Sequence, residues 1–280
     1  MKMVQISVIL PTYNRACSLQ RAMQSVLSQT RMPEEVIVVD DGSTDKTAEI
    51  VASFQRTADT EIIYLPQSNR GAAAARNAGV RQARFPVLAF LDSDDLWQKE
   101  KLAVQRECMV EKKEILVSHT QETWYRNGTH LNQKKRHAKK GGNLFARSLE
   151  LCVVGMSTVM VRREFFDRIG LFNESLPCCE DYDLWLRASV KLDFLFVDRP
   201  LTIKHGGRED QLSVQYRKGM DRYRIRVLCD LLQHEQLSAV QRDLAQIELR
   251  KKCVIYGNGC VKHGRPEEGG RYLALPELFA

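Results

Sequence analysis

The chain has 280 residues, with 42 Lys and Arg against 35 Asp and Glu, a net charge of +7 and eight cysteines. That length buries a real core and suits one principal domain with an appendage rather than two independent domains. No apolar run approaches the ~20 residues of a membrane span, and only Lys2 precedes the first strand where a signal peptide would begin, so a cytoplasmic protein with reduced thiols is expected.

Ile6 to Leu10 is a β-branched run closed by Pro11, and Leu19, Ala22, Met23, Val26 and Leu27 follow at helical spacing. Val36 to Val39 reads as a second strand, closed by Asp40, Asp41 and Gly42, after which Thr44 is placed to cap a helix running through Phe54. Ile62 to Leu65 is a third strand, and the alanine-rich segment Gly71 to Ala83 a third helix. Val87 then opens VLAFLDSDD, five apolar residues ending in Asp92, Asp94 and Asp95. Strand and helix alternating at this rhythm imply βαβ crossovers and a mostly parallel sheet covered on both faces. Ligands of such sheets sit outside the carboxyl ends of the strands. Those ends carry Pro11-Thr12-Tyr13, Asp40-Asp41 and Asp92-Ser93-Asp94, so three polar clusters converge on one rim.

Clustered carboxylates at a strand end suit a hard cation and the phosphates it holds. Taken alone, the same residues are equally a rim aromatic, a turn before a capped helix and a solvated D-x-D. Arg70 and Arg76, flanking the alanine stretch, either reach an anion from the helix amino terminus or lie solvated on its surface. Farther on, Ile115 to Ser118 and Gly155 to Val161 are strand-like. Between them the stretch from Arg126 to Arg147 holds seven Lys or Arg and no acid. It reads as a long loop that is either simply solvated or attracts an anionic acceptor or a membrane surface; nucleic acid is disfavoured because base-stacking aromatics are scarce there.

Glu180, Asp181 and Asp183 precede Leu184-Trp185-Leu186 in the first turn of a helix, where acids complement the macrodipole and where a carboxylate is also well placed as a general base. Asp183 is assigned to the helix cap. His205 ends the strand-like Leu201 to Lys204 and precedes a glycine pair, so it can turn inward as a ligand. From Met220 apolar residues recur at helical spacing, Ser238 with Gln241 forms a capping-box pattern, and a helical hairpin is expected to pack on the main domain or on another subunit. Cys253, Cys260 and His263 have irregular spacing for zinc and are taken as ordinary residues.

SVILPTYNR from Ser7, VIVVDDGSTD from Val36, NRGAAAARNAG from Asn69, AFLDSDD from Ala89, CCEDYDLWLR from Cys178 and KHGG from Lys204 together resemble the motifs of family 2 glycosyltransferases over residues 4–215. The resemblance implies a GT-A fold, with a Rossmann-like donor half at 1–98, an acceptor half at 99–215 and a helical extension at 216–280. It further implies a metal-dependent, inverting transfer from a nucleotide sugar, UDP-linked by expectation, to a glycan or lipid-linked hydroxyl, as in cell-surface polysaccharide assembly. On that pattern Pro11, Thr12, Tyr13, Asp41 and Asp92 bind the donor, Asp94 and His205 hold Mn²⁺ or Mg²⁺, Asp181 is the base, and Glu180 faces the acceptor. Competing classes fit less well. An aspartyl-phosphate phosphohydrolase wants its D-x-D after the first strand, a nucleotidyltransferase wants a glycine-rich loop where PTYNR has none, and a non-catalytic binder has no need of Asp94, Asp181 and His205 together.

Overall fold

In the computed structural model, residues 4–279 are described. Met1 to Met3, on which the reading of the amino terminus rested, lie outside them.

The amino-terminal part alternates as expected: β1 (Ile6–Thr12), α1 (Ala16–Leu27), β2 (Glu35–Asp40), α2 (Thr47–Gln55), β3 (Glu61–Pro66), α3 (Ala72–Gln82) and β4 (Val87–Phe90). β3, β2, β1 and β4 lie side by side and parallel. Their side chains alternate between two buried faces. Ile9, Ile37, Val39, Leu88 and Phe90 point to one core, while Ile6, Val8, Leu10, Val36, Val38 and Ala89 point to the other with α1 and α2. Burial on both faces explains why these strands read as continuous apolar runs. α3 lies close on β1 because Gly79 has no side chain: a Cβ there would stand 2.4 Å from Ile9 Cγ2.

The order continues β8 (Val159–Arg162), β6 (Val117–Arg126), β9 (Leu195–Gly206) and β5 (Leu96–Trp97), with β7 (Thr129–Leu131) hairpinned onto β6. Here the parallel rule stops. β4 pairs antiparallel with β8, β8 with β6 and β5 with β9, while β6 and β9 run parallel across a bulge opposite Pro200. The whole is a mixed sheet flanked by helices that include α4 (Lys101–Glu111), α5 (Phe145–Glu150), α6 (Glu164–Ile169) and α7 (Glu180–Lys191). Of the strand-like Gly155 to Val161, Met156–Thr158 is a 3₁₀ turn and β8 begins only at Val159.

The carboxyl-terminal residues form the short α8 (Leu212–Gln215), then α9 (Met220–His234), α10 (Ala239–Lys262) and α11 (Pro266–Ala274). Ser238 and Gln241 make the anticipated capping box at α10. α9 and the inner face of α10 share one core with Phe145, Leu149, Tyr182 and Leu186 of α5 and α7, so the extension packs on the main domain. Cys253 and Cys260 are free thiols in that core, and His263 closes α10. No helix among the described residues is long and apolar enough to cross a membrane.

Candidate active site

Pro11, Thr12, Tyr13, Asp41, Asp92, Asp94, Glu180 and Asp181 all line one cavity of about 1190 Å³ at the carboxyl ends of the parallel strands. Asp41 is buried at its rim. Its Oδ1 accepts hydrogen bonds from the Arg70 amide at 2.8 Å and Gln67 Nε2 at 2.6 Å, and its Oδ2 from the Gly71 amide at 2.8 Å. Gly71 has φ +88°, a left-handed turn that suits glycine and leads straight into α3. The two rim loops are interlocked by Asn14, whose amide donates to Ser43 Oγ and whose Oδ1 accepts from the Thr44 amide. Thr44 therefore does not cap α2 as expected: Asp45 does that work, accepting from the Thr47 amide and hydroxyl at 3.0 and 2.6 Å. Tyr13 stands half exposed beside this turn.

The three carboxylates after β4 take separate tasks. Asp92 accepts from Arg76 Nη2 at 2.8 Å, and burial, which would raise its pKa, is outweighed by Arg76, so its carboxyl is held low. Asp94 Oδ2 meets Arg15 Nη1 at 3.1 Å and Gln211 Nε2 at 2.9 Å. Asp95 points inward. It accepts from Ser157 Oγ at 2.6 Å and from the His205 amide at 3.1 Å, and its burial pushes its pKa well up. Asp95 is thus a bracket that ties β9 to the end of β4.

Asp92 and Asp94 supply the hard oxygen donors that Mg²⁺ or Mn²⁺ prefers. Among the described residues, however, no three His, Cys, Asp or Glu side chains converge as metal ligands. The residues fit an ion that is completed by substrate oxygens, the usual arrangement for Mg²⁺ on a nucleotide. His205 is not part of the cavity lining: its ring stacks on Tyr125 at 5.7 Å and its Nε2 lies 3.5 Å from Arg21 Nη2. Burial and then Arg21 lower its pKa, leaving a neutral imidazole.

The opposite wall begins at Cys179, which sits in the left-handed region (φ +67°) and starts α7. Glu180 Oε1 accepts from Arg76 Nη1 at 2.6 Å, so one buried guanidinium joins Asp92, after β4, to Glu180 at the start of α7. Burial raises the Glu180 pKa despite Arg76. The next residue of α3, Asn77, adds a second bracket: its Nδ2 donates to the Phe172 carbonyl and its Oδ1 accepts from the Phe172 amide. Asp181 faces the cavity at the amino terminus of the 12-residue α7, and its Oδ2 accepts from the Cys152 thiol at 3.3 Å. Asp183 is not a cap. It pairs with Arg187 one turn along at 2.7 Å, and Arg187 in turn donates to the carbonyls of Ile169 and Leu171.

Several lining residues were invisible to sequence reasoning: Arg15, Cys152, Lys204, Asp210 and Gln211. Arg15 also binds Asp210 at 3.0 Å, clasping the segment after β9 over Asp94. Burial alone would lower the Lys204 pKa, but Glu122, Asp95, Asp92 and Asp181 raise it, so the ammonium stays charged. Of the two open arginines, Arg76 is neither solvated nor free, and Arg70 is exposed and paired with Glu174 at 2.7 Å. The basic stretch is not a simple loop. It includes β7 and a 3₁₀ turn at Lys135–His137, and its Lys139 is buried against Glu122 at 3.0 Å. Lys134, Lys135, Arg136 and Lys140 are exposed, and nothing from this stretch lines the cavity.

Parallel strands whose carboxyl ends meet a helix amino terminus across one acidic, arginine-bridged cavity define a nucleotide-binding α/β fold of the GT-A type. The family profile described as glycosyl transferase family 2 matches residues 7–170, and the chain belongs to that family. It is 36% identical over 204 residues to an uncharacterized glycosyltransferase of Rickettsia conorii, covering 71% of this chain and 32% of that protein. It is 35% identical over 182 residues to the putative teichuronic acid biosynthesis glycosyltransferase TuaG of Bacillus subtilis, covering 65% of this chain and 70% of the other. The chain thus spans about a third of the length of the Rickettsia relative. Its fold is that of Staphylococcus aureus TarS 1–349 in complex with UDP-GlcNAc, with a TM-score of 0.74 at 20% identity over 98% of this chain and 79% of that one.

Proposed function

We propose that this protein transfers a sugar from a nucleotide sugar, UDP-linked, to a hydroxyl of a glycan or lipid-linked acceptor, with inversion at the anomeric carbon. The observation that carries the reading is the meeting of Asp92 and Asp94 with Glu180 and Asp181 in one cavity, with Arg76 spanning the two sets. Tyr13 offers a ring to the base, and Asp41, fixed by three hydrogen bonds, keeps lone pairs for the imide N–H of uracil. Asp181 is the base. It takes the proton of the acceptor hydroxyl as that oxygen attacks the anomeric carbon and the nucleoside diphosphate leaves. Glu180 is engaged by Arg76 and positions the acceptor side instead.

A Mn²⁺ or Mg²⁺ ion would be held by Asp94, with Asp92 beside it, and would supply positive charge to the diphosphate; His205 would join it only by turning away from Tyr125 and Arg21. The Lys204 ammonium faces the same space. The exposed Lys134, Lys135, Arg136 and Lys140 favour an anionic acceptor or the inner membrane surface, outside the cavity itself. Similarity to a relative named for teichuronic acid synthesis and to a UDP-GlcNAc complex supports a role in polysaccharide assembly. A panel of UDP-, GDP-, ADP- and dTDP-sugars, screened for protection against thermal unfolding with and without Mn²⁺, tests the proposal. A metal-enhanced rise with one UDP-sugar is expected; no response to any of them refutes it.

A further inference from the structure

α10 has two apolar faces; one is covered, and of the other, among the described residues, only the Val261 end meets a neighbour, Gly269 of α11. Ala245, Leu249, Cys253, Tyr256 and Cys260 are buried against α9 and the main domain. On the far side Val240, Ile247, Val254 and Val261 remain 68%, 65%, 44% and 48% exposed. All four are β-branched and they are spaced seven residues apart. At about 100° per residue a heptad drifts by only ~20°, so they form one stripe roughly 30 Å long, directly opposite the packed face. The positions three residues on, Asp243, Arg250 and Gly257, are not apolar, so the stripe is one residue wide per heptad rather than a full two-residue seam.

The charges beside the stripe point to the occupant. Asp243 is exposed and makes no ion pair among the described residues; about two turns farther along Arg250 and Lys251 are exposed too, each resting on an acid of its own chain, Glu277 at 3.8 Å and Glu248 at 3.2 Å. Two copies of α10 laid antiparallel about a twofold axis through Ile247 bring Val240 opposite Val254 and Asp243 opposite Lys251, each contact occurring twice. The groove of about 620 Å³ beside Ile247, walled by Pro276 and Phe279, gives room for the approaching side chains. A lipid surface suits the stripe poorly, since an unpaired carboxylate lies within it and the aromatic residues favoured at a membrane interface are missing from it.

We infer that α10 is the dimerisation helix of this protein, pairing antiparallel with a second copy through the stretch from Val240 to Val254. The interface is isologous and leaves the active-site cavity open, so it is independent of the reaction. Sedimentation velocity of the intact protein should find a dimer. Ile247→Asp should convert it to a monomer with unchanged circular dichroism and unchanged UDP binding. Asp243→Lys should weaken the dimer roughly tenfold or more, and adding Lys251→Asp should restore it, because the pair is rebuilt with its signs exchanged. Ile247→Cys, in a background where the exposed Cys17 is replaced by serine, should form a covalent dimer on mild oxidation. A monomeric wild-type protein, a dimer indifferent to Ile247→Asp, or a charge swap that fails to restore assembly overturns the inference. Sedimentation of the monomer with anionic vesicles, lost in Ile247→Asp, would assign the stripe to a membrane instead.

Discussion

Arg76 is the most consequential single side chain for stability in the site. Its guanidinium is buried, with Asp92 at 2.8 Å on one side and Glu180 at 2.6 Å on the other, and 104 residues separate it in sequence from Glu180. Arg76→Met keeps most of the volume but leaves the buried Glu180 and the partly exposed Asp92 without that cation. Removing one member of a buried ion pair costs about 3–5 kcal/mol, which for a domain of this size is a fall of roughly 6–20 °C in Tm. The loss also has a defined pH dependence. Burial already raises the Glu180 pKa, Asp181 adds to the rise, and without Arg76 only a backbone hydrogen bond opposes it. A carboxyl whose folded pKa lies above its unfolded value binds more protons in the native state, so the variant loses stability as pH rises and regains it toward pH 5, by about 1.4 kcal/mol for each tenfold difference in proton affinity between the folded and unfolded chain. Urea unfolding at pH 5 and pH 8 measures both effects. Adding Glu180→Gln should recover part of the loss at pH 8 and little at pH 5. A destabilisation below about 1 kcal/mol, or one that grows toward acid, refutes the reasoning.

Cys152 donates to Asp181, and its thiol is kept protonated by burial and by that carboxylate. Cys152→Ala should lower kcat roughly 3- to 10-fold and move the acid limb of the pH profile upward, while Cys152→Ser, which retains a donor, should restore both; equal losses in the two variants would remove the assignment. Glu122, held near a pKa of about 2 by Lys139 and Lys204 against its own burial, contributes stability present above pH ~4.5 and lost as the pH falls toward 2, so Glu122→Gln should flatten acid unfolding across that window. Arg15→Ala frees Asp94 from its guanidinium and should raise divalent-ion affinity in calorimetry without nucleotide; unchanged affinity would mean that Arg15 does not compete for that carboxylate.

The donor half was legible because both of its signals are local. Apolar runs buried on two faces and Gly or Asp closures located β1 through β4 to within a few residues, and with them the rim carrying Tyr13, Asp41, Asp92 and Asp94. The acceptor half was not legible in the same way. β9 spans 12 residues, but Asp198-Arg199-Pro200 interrupts its apolar pattern, and the bulge that accommodates Pro200 depends on β6, whose pairing stretch lies some eighty residues earlier. A motif also names a residue without naming its partner. Asp183 shares its segment with Asp181, yet pairing with Arg187 makes it part of the packing rather than the expected helix cap. Arg15 follows the first motif as an unremarkable surface residue, and only the return of the chain at Asp210 and Gln211 makes it a clasp on Asp94.

Everything proposed for the reaction turns on Asp181 taking the proton in a transfer from a UDP-sugar bound across this cavity. Asp181→Asn keeps the size and the helix start but cannot accept that proton, and UDP-GlcNAc is a suitable probe with water standing in for the acceptor. The rate of sugar release should fall by roughly 10²- to 10⁴-fold, with UDP affinity by calorimetry unchanged. Near-normal release by Asp181→Asn, or a parallel loss of UDP binding, would contradict that role.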